Sequence, residues 1–305
     1  MDTAMDEIRG VLEVVVPGPY ATVQDLGRPG YAHLGVPRSG AADGPALRLA
    51  NRLVGNPEGH AGIEFTFGGA VLRFSCGAWI AVTGAPCPVE VGDGDRWRPA
   101  GMYAPLWVPA GHHVRLGMPW RGLRTYLAVR GGIAVEPVLG SRASDSLSGL
   151  GPAPLAAGSV LPIGRDGPLG PIAVDQVPPR PVPEEPVLRV LPGPRDDWFA
   201  PEALAALCAG PYTVSPDSNR VGVRLRGAAL RRARRGELPS EGMVGGAIQV
   251  PPDGLPIVFL ADHPPTGGYP VIGVVASADL PVVAQLRPGD RVRFTLGGRR
   301  TRITR

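Results

Sequence analysis

A mainly β protein in two lobes, with few short helices, is the fold this sequence predicts. Three observations carry the expectation. The 44 Gly and 37 Pro follow no collagen-like period and sit between apolar runs, as a turn-rich β chain requires. From Ser240 to Phe294, short β-branched runs alternate with tight turns, and uncharged polar side chains recur at the turn edges. Finally, Gln176–Pro186 is dense in proline, which cannot join a sheet ladder and reads as a semi-rigid spacer. The division this implies is an N-terminal lobe over residues 1–175, a Pro-rich linker over 176–187 and a C-terminal lobe over 188–305. With 305 residues and 44% hydrophobic content, the chain can bury a large core and suits roughly two domains.

Taken in order, the first lobe opens on a turn-rich stretch. A helix then starts near Pro45, capped by Asp43. Ala46, Leu49, Ala50, Leu53 and Val54 recur along it at i, i+3, i+4, i+7 and i+8, and Gly55 ends it. Residues 71–74, 79–82 and 126–129 read as strands. In the second lobe, 188–191, 221–225, 256–261 and 271–276 do so. A second helix runs near Pro201 to Leu207. Pro251-Pro252-Asp253-Gly254, Thr266-Gly267-Gly268-Tyr269-Pro270 and Pro288-Gly289-Asp290 are turns, because proline sets φ while glycine supplies positive φ at little cost. Residues 106–116 parallel 284–294, each an apolar strand, a Pro/Gly turn and a second strand. The match reads either as a duplicated barrel or as ordinary hairpin grammar.

Composition excludes several functions. The sequence contains no lysine, so all 31 basic residues are arginine. A Walker A loop, a Schiff base and a biotinylated lysine each need the ε-amine, so a nucleotide loop of that type or a biotin would sit on a partner chain. Net charge is only +4 and 6% of residues are aromatic, which lacks the clustered cations and stacking rings of a nucleic-acid surface. Cys76, Cys87 and Cys208 are odd in number and far apart, which fits small core residues better than a disulfide frame or zinc site. Met1–Glu7 is acidic where a signal peptide would be basic, and no apolar run nears the roughly 20 residues of a membrane span. A cytoplasmic protein is expected.

Candidate site residues are polar groups beside Gly and Pro. In the first lobe they are Gln24, Asp25 and Ser39, in a stretch read either as backbone brought close to a ligand or as a long connection whose Asp25 and Ser39 cap local amides. Arg130 and Arg142 lie beside glycines and could grip a carboxylate or phosphate, or Arg142 could pair with Asp145. In the second lobe, Asn219, Arg220, Glu241, Gln249, Asp262 and Thr266 fall at strand ends and turns. The run Arg231-Arg232-Ala233-Arg234-Arg235 reads as a solvated face or a dock for an acidic partner. Adjacent His112 and His113 point to opposite faces of a strand and cannot share a metal. His263 is the one histidine placed for proton transfer, though an ordinary loop histidine fits it as well.

TVQDLGRPGY, GVPRSGAAD, RTYLAVRGGI, VLGSRASD, LRVLPGP, SNRVGVRL, SEGMVGGAIQVPPDG, TGGYPVIGVVASADL and QLRPGDRVRF follow one another along nearly the whole chain. The set resembles the family that joins the C subunit of bacterial 5-oxoprolinase, the carboxyltransferase half of urea carboxylase (the allophanate hydrolase subunit 2 type) and an antagonist of a sporulation kinase inhibitor. That resemblance implies two cyclophilin-like β-barrels. It also implies part of an enzyme, inactive by itself, which helps open 5-oxoproline to glutamate beside a sister chain resembling the B subunit and a third chain resembling the A subunit. ATP, or biotin in the urea carboxylase relative, would come through those partners, with none bound by this chain alone. A regulator of a kinase inhibitor is the non-enzymatic alternative. On the resemblance, Glu241 and Asp262 are the catalytic candidates, and Gln24, Asp25, Ser39, Arg130, Asn219, Arg220, Gln249 and Thr266 the contacts for an amide-like substrate. Relatives often carry Gln-Thr-Thr before the Gly-Gly-Tyr-Pro turn and a basic residue after it. Here the order is His263-Pro264-Pro265-Thr266 and then Val271.

Overall fold

The structure, a computed structural model, describes residues 8–165, 169–234, 236 and 238–297. Met1–Glu7 and Arg235 therefore lie outside the described residues, as does the end of the C-terminal lobe from 298. The chain divides into two compact units, Met1–His33 with Pro37–Val182 and Leu34–Val36 with Pro183–Arg305.

The first unit carries β1 (Ile8–Val16), β2 (Tyr20–Gln24), α1 (Gly44–Leu53), β3 (Gly62–Thr66), β4 (Ala70–Phe74), β5 (Ala78–Gly84), β6 (Val89–Gly92), β7 (Trp97–Ala100), β8 (Pro105–Val108), β9 (His113–Leu116), β10 (Arg124–Val129) and β11 (Val160–Gly164). They form a six-stranded sheet in the order β11-β1-β4-β9-β6-β7 and a five-stranded sheet in the order β2-β3-β10-β5-β8. Both sheets point alternate apolar residues into one core, with Leu12, Val14, Leu72, Phe74 and Leu116 from the first meeting Val23, Ile63, Phe65, Ile80 and Leu127 from the second. β10 is buried at every position, because β3 and β5 flank it and α1 covers its outer face.

The sequence pattern specifies α1 closely. Asp43 caps it, its carboxylate accepting from Ala46 N at 3.2 Å, and Pro45 sits in the first turn, where a missing N–H costs nothing. The buried stripe is Ala46, Leu47, Ala50, Asn51 and Leu53, and Gly55 leaves the helix at φ +71°.

The second unit carries β12 (Val187–Pro192), α2 (Ala203–Ala209), β13 (Tyr212–Val214), β14 (Gly222–Arg226), β15 (Glu241–Gly242), β16 (Ala247–Gln249), β17 (Ile257–Phe259), β18 (Thr266–Gly267), β19 (Val271–Val275), α3 (Leu280–Val283) and β20 (Arg291–Leu296). Seven of the strands close a barrel in the order β12-β19-β16-β17-β14-β13-β20, in which only β12 and β20 run parallel. Closure removes the sheet edges, and the interior is packed with Leu188, Val190, Tyr212, Leu225, Ile248, Val258, Ile272 and Phe294. β15 and β18 form a separate two-stranded ribbon.

The parallel between 106–116 and 284–294 does not hold in three dimensions. β8 pairs with β5 and β9 with β4 and β6, so the two strands of the first stretch enter different sheets. Ala284–Leu286 follows α3 and closes helical bonds back to Leu280, Val282 and Val283, so it is no strand at all. A Pro/Gly turn between apolar runs sets a change of direction without choosing the partner strand.

Cys87 is buried and Cys76 and Cys208 half-buried against the two cores, and burial pushes the Cys87 thiol up to about 11. Among the described residues, no helix is long and apolar enough to cross a membrane.

Candidate functional site

The polar residues expected to meet substrate are divided between the two units and fall into several separate sets. In the first unit, the loop after β2 folds back on itself. Arg28 N donates to Arg38 O at 2.7 Å and Ala41 N to Asp25 O at 2.9 Å. Gly27, at φ +80°, passes so close to this return that a Cβ there would lie 2.3 Å from Arg38 O. Asp25 is the hub. Its Oδ1 accepts from Gly27 N at 2.7 Å and Ser141 Oγ at 2.6 Å, and its Oδ2 accepts from Arg142 N at 2.7 Å. Gln24 Nε2 and Ser39 Oγ both donate to Ser144 O at 3.0 Å, with Ser39 itself at φ +54°.

Gln24, Asp25 and Ser39 are thus brought together, but buried, and with their polar atoms turned onto the chain between 138 and 145. Asp25 caps a local amide, one of the two roles its sequence allows, and also ties down a loop more than a hundred residues away. Arg28, at 1% exposure, shares the knot by donating to Val138 O and Ala143 O. Its Nη1, Gln24 Oε1 and Ser144 Oγ are buried without a hydrogen-bond partner among the described residues.

Both arginines beside glycines are engaged by backbone. Arg130 Nη1 donates to Val54 O at 2.8 Å and Gly170 O at 2.9 Å, whereas Arg142 Nε donates to Val135 O at 2.6 Å. Arg142 does not pair with Asp145. That carboxylate accepts from Leu147 N and Ser148 Oγ, and its nearest cation is Arg28 at 4.0 Å. Burial, then the charge of Arg142, holds the His60 imidazole below its ordinary pKa.

A second buried network in this unit joins two of the sequence motifs, through Asp43 and through Arg124 and Tyr126, to Glu64, which lies in neither. Tyr126 Oη donates to Glu64 Oε2 at 2.7 Å and accepts from Asp43 N at 2.7 Å, while Arg124 Nε lies 3.3 Å from Glu64 Oε1. These residues come from neighbouring strands and the start of α1, and nothing in their local spacing announces the meeting. Burial, then the Glu64 charge, raises the Tyr126 phenol well above 10.

In the second unit, arginine holds both catalytic candidates. Asp262 forms a two-pronged pair with Arg220, at 2.9 Å through Nε and 3.0 Å through Nη2, and both side chains are buried. Asn219, next to it, closes its own turn by accepting from Val221 N at 2.8 Å. Glu241, on the ribbon, is gripped by Arg195 through Nε at 2.8 Å and through Nη2. The bonded Arg195 guanidinium holds the Glu241 carboxyl below its ordinary pKa, so it stays an anion at neutral pH. As it stands, that carboxylate is suited to orienting a donor or a cation rather than to delivering a proton.

Glu241, Gln249 and Thr266 meet at the ribbon. Glu241 pairs across it with Gly267 and Gly242 with Thr266. Gly267 lacks a Cβ where one would lie 2.7 Å from Gln249 Nε2, and that amide donates to Tyr269 O at 3.2 Å. Thr266 is exposed, Tyr269 is 40% exposed, and the Arg232 guanidinium lies 5.8 Å from the Tyr269 ring. His263 stacks on Phe259 at 6.0 Å with Nδ1 on Pro264 O, the arrangement of an ordinary loop histidine.

Arg195 is the main residue that sequence reasoning missed here. It follows LRVLPGP directly, but its acidic partner lies 46 residues away. Within the arginine run, Arg231 pairs with Glu202 at 2.9 Å and Arg234 with Asp197 at 2.8 Å, while Arg232 donates to Val250 O at 2.5 Å. Of the run's three described arginines, two are therefore matched by acidic side chains.

Known proteins share this architecture. The profile of the carboxyltransferase domain, subdomain A and B, matches residues 34–296. The chain is 38% identical to the C subunit of 5-oxoprolinase from Escherichia coli K12 over 287 residues, covering 93% of this chain and 90% of that one. It is 35% identical to urea amidolyase of Lachancea kluyveri, covering 92% of this chain and 17% of that protein. Among solved structures, TTHA0988 superposes with a TM-score of 0.84 at 40% identity, covering 94% of this chain and 55% of that one. The urea amidolyase of K. lactis superposes at 0.83 with 31% identity, covering 96% of this chain and 19% of that one. The chain thus spans about half the length of TTHA0988 and less than a fifth of the urea amidolyases.

Proposed function

The chain belongs to the carboxyltransferase-domain family, and we propose that it is one component of a 5-oxoprolinase complex that opens 5-oxoproline to glutamate with ATP. The observation that carries this reading is the end-to-end match to the C subunit of 5-oxoprolinase. It covers 93% of this chain and 90% of the Escherichia coli protein at 38% identity, and 90% and 87% at 34% identity in Haemophilus influenzae. In this reading the ribbon face of the second unit is this chain's share of a site completed by a sister chain resembling the B subunit, with a third chain resembling the A subunit.

The chemistry of the ribbon supports a contributing role rather than a self-contained one. Opening a lactam needs a polarised carbonyl, a nucleophile and a proton for the leaving nitrogen. Glu241 is an anion committed to Arg195, and Asp262 is buried under Arg220. Neither is poised as a free general acid. Thr266 on the ribbon and the Gln249 amide on the adjoining β16 supply a hydroxyl and an amide suited to a planar N–C=O group, and the Arg195–Glu241 pair fixes the ribbon strand opposite Thr266. Lacking lysine, the chain leaves lysine-dependent nucleotide binding to its partners.

The test is reconstitution of the chain with purified partner chains, ATP and 5-oxoproline. Glutamate forms with the wild type, and Glu241→Ala lowers turnover by about a hundredfold, the scale of a misplaced binding group. A well-assembled complex that releases no glutamate ends this reading.

The similarity to urea amidolyases favours one second reading, a biotin-dependent carboxyltransferase half acting on a urea- or amide-like compound. It requires carboxylation of urea from a partner's carboxybiotin and no ATP-driven glutamate release from 5-oxoproline.

A further inference from the structure

We propose that the outer wall of the barrel carries a second small-molecule site, selective for compounds of amino-acid size that combine a carboxylate with a neighbouring N–H. A cavity of about 240 Å³ lies between β14 and the 251–257 segment, and none of the candidate residues discussed above lines it. Its charged rim is Arg224, Arg226, Asp217 and Asp253, and its floor includes Ser215 and Pro256, both buried.

Three of the four charges are already engaged. Asp217 accepts from Ser215 Oγ at 2.9 Å and lies 3.6 Å from Arg226 Nη2, and Asp253 Oδ1 accepts from Leu255 N at 3.0 Å. The Arg224 guanidinium makes no hydrogen bond or ion pair among the described residues; only its backbone is used, accepting from Ser215 N and donating to Ser218 Oγ. Arg224 and Arg226 alternate with inward Leu225, so both side chains leave the same face of β14 about 6.5 Å apart. One unmatched guanidinium beside an open pocket with a buried Ser215 and Pro256 suits a planar carboxylate held by two parallel hydrogen bonds. The second Asp253 oxygen is the matching acceptor for an N–H on the same ligand.

The inference does not rest on the 5-oxoprolinase reading, since it is tested on the full chain alone. Amide NMR titrations compare 5-oxoproline (carboxylate and N–H), acetate (carboxylate only) and 2-pyrrolidone (N–H only). The expected result is saturable binding of 5-oxoproline, with shifts concentrated at 215–226 and 251–257, weaker binding of acetate and none of 2-pyrrolidone. Arg224→Gln, which removes no contact within the fold, weakens 5-oxoproline binding by about tenfold or more. Arg234→Gln, outside the cavity, leaves it unchanged. Absence of saturation up to about 10 mM, equal binding of 2-pyrrolidone, or unchanged affinity in Arg224→Gln overturns the proposal.

Discussion

Asp25 in the first unit and the pair Asp262 and Glu241 in the second are carboxylates held by opposite means. In the first, Asp25 is surrounded by two backbone amides and a hydroxyl, with no guanidinium on its oxygens among the described residues. In the second, Asp262 and Glu241 are each gripped by one arginine on two prongs. Amides belong to the chain path, so Asp25 works only if glycines let the loop return upon itself, and its oxygens are then spent on the fold. Guanidinium pairs are made by side chains alone, and at Glu241 the pair stays partly open to water, with side-chain exposures of 28% for Glu241 and 39% for Arg195. Polar residues that look equally suited to a ligand in the sequence therefore divide into a scaffold and a presentable face.

The largest expected effect breaks the arginine side of this contrast. Arg220→Met leaves the buried Asp262 without its two-pronged partner and should cost about 3–5 kcal/mol in urea unfolding, much of it recovered by adding Asp262→Leu. A single variant that unfolds like the wild type would show that this pair does not hold the 220 and 262 loops together. Next, Asp25→Ala removes a charged acceptor from three donors and should cost about 3 kcal/mol, unfolding the first unit ahead of the second. Glu241→Ala sharpens the comparison, because its half-exposed pair should leave the unfolding midpoint nearly unmoved while turnover in the assembled complex falls. Similar stability losses in the Asp25 and Glu241 variants would erase the distinction.

Smaller again is Asp43→Ala, which removes the N-cap of α1 and should cost about 1 kcal/mol by the same measurement. The smallest effect is in the pH profile. The bonded Arg189 guanidinium holds the Asp279 carboxyl below its ordinary range. A carboxyl depressed in the folded state contributes stability above its unfolded value of about 4 and loses it as pH falls through the folded value. Stability should therefore decline on the acid side, and Asp279→Asn should flatten that decline when urea midpoints are compared between neutral and acid pH.

Much of the fold is legible because it is local. Asp43, Pro45 and Gly55 bracket α1, and the β-branched runs at 271–276 and 188–191 become β19 and β12, since caps, turns and alternation are settled within a few residues. The turn that follows the short α3 is misread, because Ala284-Gln285-Leu286 has the apolar look of a strand start. Candidate site residues can be named from the sequence, but their hydrogen-bond partners cannot. Arg142 and Asp145, three apart, suggest a pair, yet the Arg142 guanidinium turns to Val135 O and Asp145 faces Arg28 across the knot.

By itself, the sequence determined a turn-rich β protein, the position of its main helix and the absence of lysine chemistry. Those properties depend on residue identity and on spacings of a few positions. Tertiary structure alone decided that the second unit closes into a seven-stranded barrel while the first pairs two sheets, and that Glu241 meets Arg195 and Asp262 meets Arg220. Strand partners and ion pairs 42 or 46 residues apart are chosen by which burial satisfies every backbone group and charge together, and no short window of sequence contains that sum.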